Sequence, residues 1–120
     1  MNLIYVFLGG GIGAVLRYIL TLLLGKSDGH QFPLNTFITN LLGCFLIGLL
    51  FSYFFKTKLS EPYTLFWIVG ILGGFTTFSS FGLEFINLFR NGHVYTAISY
   101  ALLSNIVGIA LAFAGIQMVK

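Results

Sequence analysis

The amino-acid sequence predicts an all-α integral membrane protein of four transmembrane helices, the third broken near its middle. Three observations predict it. Six Lys or Arg and three Asp or Glu are the only charges among 120 residues, 8% in all. The hydrophobic class reaches 58%, with 15 Gly outside it. Three short polar breaks divide the chain into four apolar runs. An ordinary soluble domain carries roughly 25% charge and must cover its surface with polar side chains. Disorder needs low hydrophobicity, so it is excluded as well.

A crossing takes about 20 residues, so four crossings use up the chain as a single transmembrane domain, 1–120. The polar breaks fall at Gly25 to Pro33, Lys56 to Pro62 and Arg90 to His93. They place helices at about 3–24, 34–55, 63–90 and 94–118. Pro33 and Pro62 stand just before the second and third helices, where a missing N–H costs least. Lys56 and Arg90 end those helices, where a cation complements the dipole and can snorkel.

The first run begins after Met1 and Asn2, which supply no positive charge, and holds Arg17 inside it. That is the wrong pattern for a cleaved signal peptide, so a retained helix is expected. Gly9 to Ala14 matches a dinucleotide fingerprint, G-x-G-x-x-A. The fingerprint needs flanking strands and an acid about 20 positions on, and the context is absent. Gly9-x-x-x-Gly13 reads better as a close-packing helix face. From residue 3, Arg17 lies about 21 Å along the helix. Glu84, near the end of the third helix, falls on the same side. The two either pair at similar depth or snorkel separately.

The second helix sets Asn35, Thr36, Thr39 and Asn40 among apolar neighbours, Asn40 deepest. An amide there donates to an anion or bonds across helices. Cys44, the single cysteine, forms no intrachain disulfide and suits a small packing role. The third span exceeds a straight crossing. Its middle, Gly70 to Gly82, holds four Gly and four Thr or Ser in thirteen residues, poor helix material. An unwound or kinked segment is expected, and freed carbonyls at membrane depth are tolerated only inside protein or beside a wet cavity. A mid-membrane break is a site hypothesis; a tight crossing of small residues is the alternative. Phe78 and Phe81 stand at i, i+3 in this setting. Phenyl edges are positive and can solvate an anion without trapping it, although such pairs more often serve packing. On the fourth helix Tyr100, Ser104 and Gly108 share one face. With Ser79 and Ser80 they form either a polar track or a set of interhelical hydrogen bonds.

Several functions lack support. A net charge of +3 and no basic arm argue against nucleic acid. His30 and His93 have no metal-ligand spacing. No nucleophile–base set or paired carboxylates appear, so an enzyme is not expected. With four crossings, Lys56, Lys58 and Lys120 face one side, and Lys26 and Arg90, with or without Arg17, the other. The bias that sets orientation is one charge or none. Both orientations can then be inserted, and an antiparallel dimer of identical chains becomes possible. Four helices are few for a pore, so an oligomer is expected.

At Gly73-Gly74-Phe75-Thr76-Thr77-Phe78-Ser79-Ser80-Phe81 the sequence resembles the CrcB/Fluc family of fluoride channels. Gly9 to Tyr18 resembles the family's opening Gly-rich motif ending in Arg. Asn35 to Gly48 resembles its second-helix motif, and Tyr100 and Ser104 fall where its fourth helix carries Tyr and Ser. Asn35 stands where a Gly is usual, and Gly108 where some relatives carry a hydroxyl. The resemblance implies an antiparallel homodimer with two pores in the cell membrane, passing fluoride passively, excluding chloride and lowering cytoplasmic fluoride. It implies that Phe78 and Phe81 line the pore, that Asn40 is the pore amide, and that Ser79, Ser80, Tyr100 and Ser104 form a polar track. It also implies a structural sodium ion at the dimer interface, held by the carbonyls of Gly73 and Thr76 from each chain.

Two rivals stand beside this reading. A small multidrug exporter needs a buried carboxylate for proton coupling, and the first helix offers Arg17 and no acid. A structural subunit of a larger membrane complex would suit the packing motifs but leaves the clustered polar midsection without a purpose.

Overall fold

The computed structural model describes residues 1–119, and the charge of Lys120 lies outside the described residues. Helix α1 spans Asn2–Leu24 and stops at Gly25, whose φ of 90° favours glycine. Helix α2 spans Leu34–Thr57, and Lys58 closes it in the left-handed region with φ 55°. The third span, Glu61–Arg90, comes in two helical pieces. We label residues 61–75 α3 and Phe78–Arg90 α4. Helix α5 spans Val94–Met118. All four spans are long and apolar enough to cross a membrane. No strand occurs among the described residues.

The ends differ from expectation by up to two residues. Helix α2 continues to Thr57, and α3 starts at Glu61 with Pro62 inside its first turn. A proline is as well placed there as before the helix, since first-turn N–H groups lack intrahelical partners.

The larger difference concerns the break. The third span is broken near its middle, within 70–82 as expected, but the break is narrow: the backbone leaves helical geometry only at Thr76 and Thr77 (φ, ψ of −84°, 157° and −150°, 126°). Gly70, Gly73 and Gly74 remain helical. Residues Leu65–Leu72 form a wider π-helical stretch, a form found mostly as short bulges near functional sites. The glycines have another task. A Cβ on Gly9 would strike Phe66 O and Gly70 Cα, one on Gly13 would strike Ile71 O, and one on Gly74 would strike Gly10 O. Helices α1 and α3 thus meet backbone to backbone, as small residues permit where hydrophobicity does not drive association. Helices α2 and α5 meet in the same way, Gly48 against Ala112 O and Gly115 against Phe45 O.

Gly13→Ala is therefore expected to destabilise the protein by about 1–3 kcal/mol, because the opposing atoms are backbone and cannot turn aside. Thermal unfolding in detergent, followed by helical circular dichroism, checks this. An unchanged midpoint would refute the packing role.

Candidate functional site

The break is held open by one side chain. Asn40 Nδ2 donates to Thr77 O at 3.0 Å, and Thr77 N donates to Asn40 Oδ1 at 2.9 Å. The amide thus bonds both main-chain groups of Thr77 at once. The next turn starts on a cap: Thr77 Oγ1 accepts from Ser80 N at 3.2 Å, the usual Ncap-to-N3 bond.

These bonds release particular carbonyls. Thr77 N, the helical partner of Gly73 O, goes to Asn40, and Ser80 N, the partner of Thr76 O, goes to Thr77 Oγ1. Gly74 O accepts from Arg17 Nε at 3.3 Å. Gly73 O and Thr76 O are thus among the main-chain oxygens that the break separates from their helical partners. Carbonyl oxygens are ligands for hard cations, so the donor chemistry fits sodium.

Two cavities flank the break. One, of about 340 Å³, is lined by Asn40, Gly73, Thr76, Phe78, Phe81 and Ser104 among others. The other, of about 260 Å³, is lined by Arg17, Lys26, Asn35, Thr39, Ser80 and Glu84 among others. Thr77 lines both. The pinned residue is the partition between an uncharged chamber and a polar, charged one.

The aromatic rings lie against the first chamber. Phe78 and Phe81 centroids are 5.6 Å apart, and Phe81 lies 4.9 Å from Tyr100. Phe78 is 84% exposed on the single chain, while Phe81 is half-buried. Ser104 lines the same chamber.

Other expected residues sit elsewhere. Ser79 is exposed, with Oγ 3.2 Å from Thr77 Oγ1, and lines neither chamber. Tyr100 is fully buried, and its hydroxyl donates to Glu84 Oε1 at a long 3.5 Å. Gly108 does not extend a polar face: a Cβ there would meet Cys44 Sγ and Leu41. Arg17 and Glu84 line one chamber but take separate partners, Gly74 O and the Tyr100 hydroxyl. Of the expected polar residues, Ser104 lines the uncharged chamber and Ser80 the charged one, while Ser79 and Tyr100 line neither.

Sequence reasoning missed Thr77 as the central residue. A Thr where a helix restarts after a predicted break is a favoured N-cap residue and was the available signal. It also kept His30 and His93 apart, whereas their rings touch, with His30 Nδ1 3.2 Å from His93 Nε2.

Comparison with known proteins agrees over nearly the whole chain. Residues 4–116 match the family described as CrcB-like protein, Camphor Resistance (CrcB). The fluoride-specific ion channel FluC of Flavobacterium psychrophilum is 41% identical over 120 residues, 99% of this chain and 97% of that one. The FluC of Azobacteroides pseudotrichonymphae is 45% identical over 109 residues, 90% of this chain and 87% of that one. That of Desulfotalea psychrophila is 43% identical over 115 residues, 96% and 89% of the two chains.

Proposed function

Because the chain belongs to the CrcB family, we propose that it is a passive fluoride-selective channel of the cell membrane and not an enzyme. It lets fluoride leave the cytoplasm. The observation that carries this reading is the Asn40–Thr77 clasp, which sets a polar break between two chambers, with two phenyl rings against one of them.

The chemistry follows from the lining. The chamber beside Phe78 and Phe81 holds no Lys, Arg, Asp or Glu among its lining residues. An anion crossing it meets the Ser104 hydroxyl, positive phenyl edges and the Asn40 amide. That amide has two N–H groups, and Thr77 O takes one. Many weak donors favour passage, because each binds and none traps. Arg17 and Lys26 in the other chamber draw anions in, and the Ser80 hydroxyl lies beside the partition.

Proton-coupled export is the weaker reading. Of the three acids, Asp28 lies in the first connection and Glu61 at the start of α3. Glu84 lines the charged chamber, but the Tyr100 hydroxyl engages it and Arg17 and Lys26 share that chamber, while neither Asp28 nor Glu61 lines a chamber at the break.

The working unit in this proposal is an antiparallel homodimer. Arg17 is committed to the break, so Lys26 and Arg90 face Lys56, Lys58 and Lys120 across the membrane, a bias of one charge. One chain presents two released carbonyls, at Gly73 and Thr76, and hard cations take about six oxygens. A second copy doubles the set and covers Phe78. Gly73 and Thr76 of each chain would then hold a structural sodium ion, which neutralises converging carbonyl dipoles and fixes the two broken helices against each other.

Purified protein in liposomes loaded with fluoride or chloride tests the function. Fluoride efflux without an imposed proton gradient is the expected result. Equal chloride efflux, or none of either ion, would overturn it. Adding several Lys to the 58–60 connection should force one orientation and abolish efflux; full activity of such a variant would contradict the antiparallel dimer.

A further inference from the structure

We propose that His30 and His93 form a two-histidine site for a divalent transition-metal ion of the zinc or nickel class, clasping the first connection to the third. The residues are 63 positions apart, and the fold brings His30 Nδ1 to 3.2 Å from His93 Nε2. The ring centroids are 5.4 Å apart, with planes at 83°. Two nitrogens bound to one tetrahedral ion at about 2.0–2.1 Å stand about 3.3–3.4 Å apart. The separation is therefore already that of a ligand pair. Each ring would turn out of the hydrogen bond to direct its lone pair at the ion.

The backbone holds the rings here without help from the ring contact. Asn91 Nδ2 donates to Gly29 O at 2.9 Å, and His30 N donates to Asp28 Oδ1 at 2.9 Å. His93 N donates to Leu88 O at 2.8 Å, and His93 O accepts from Ala97 N at 2.9 Å. His30 is exposed and His93 half-buried, so an ion with its waters can reach them.

Proton balance is simple. One ring nitrogen of the pair now carries the hydrogen between them. On metal binding that hydrogen moves to the outer nitrogen of its own ring, and a neutral pair loses no net proton. Imidazole nitrogen suits zinc, nickel and copper and discriminates against magnesium and calcium. Among the described residues no third His, Cys, Asp or Glu completes a cluster, so water fills the remaining positions and the ion exchanges readily. The positive end of α5 opposes a cation beside His93. The Asp28 carboxylate, two residues from His30, offsets it. Occupancy would tie together segments that carry Lys26, Ser27 and Asn87, which line the charged chamber.

The test is calorimetric titration of Ni2+ into the purified full chain, free of any polyhistidine tag. Saturable binding is expected, weakened at least about tenfold by either His30→Ala or His93→Ala. Fluoride efflux by the metal-free variants should match the wild type, so binding is read independently of transport. No saturable heat, or binding that either variant leaves unchanged, would overturn the site. A hydrogen-bonded pair without metal affinity gives the first of those results.

Discussion

Asn40→Asp is expected to abolish fluoride efflux while leaving a folded protein. The replacement keeps one acceptor for Thr77 N and loses the donor to Thr77 O. It also places a carboxylate at the partition between the chambers, on the proposed anion path. At an effective dielectric of about 20, two like charges 4 Å apart repel by about 4 kcal/mol, and about 1.4 kcal/mol already slows passage tenfold. Asn40→Leu separates the two roles. It removes the Asn40 partner of each Thr77 group and leaves Thr77 N unpaired, at about 1–3 kcal/mol where no water reaches it. Its thermal midpoint should fall well below that of the Asp variant. Efflux assays and thermal unfolding of both proteins check the pair. Wild-type efflux by Asn40→Asp would remove Asn40 from the path.

Phe81→Ile, and separately Phe78→Ile, should reduce fluoride efflux by about tenfold or more, again about 1.4 kcal/mol of barrier. Isoleucine keeps an apolar side chain and removes the positive ring edge. Phe81 lies 4.9 Å from Tyr100 and 5.6 Å from Phe78, so its loss also frees the neighbouring rings. Phe78 packs little within its own chain, at 84% exposed, so its replacement should leave monomer stability nearly unchanged. Loss of efflux with an intact fold would then report on the path itself. Unimpaired efflux by both variants would mean that the rings are packing alone.

The helices were legible because the bilayer imposes length and apolarity, two properties a single chain displays directly. The α1–α3 contact was half legible: Gly9 and Gly13 announced a close-packed face, but nothing in the spacing named Gly70 and Gly74 as its partners. For the same reason the break was placed too broadly. A glycine that loosens a helix and one that lets another backbone approach read alike. The site was legible as a set of residue types and not as an arrangement. Asn40 reaches Thr77 across 37 positions, and Arg17 reaches Gly74 across 57. In both bonds the acceptor is a main-chain carbonyl, which no side chain marks. The shared face on α5 fixes direction and not neighbours. Tyr100 turns to Glu84, Ser104 to the uncharged chamber and Gly108 to Cys44.

The reversal potential of the protein in a planar bilayer tests the central claim most directly. Fluoride and chloride gradients are opposed, with and without a pH difference across the membrane. A passive fluoride path built from amide, hydroxyl and phenyl edges predicts a reversal potential that follows the fluoride gradient and ignores both chloride and pH. A potential that follows chloride, or that moves with the pH difference, would contradict it.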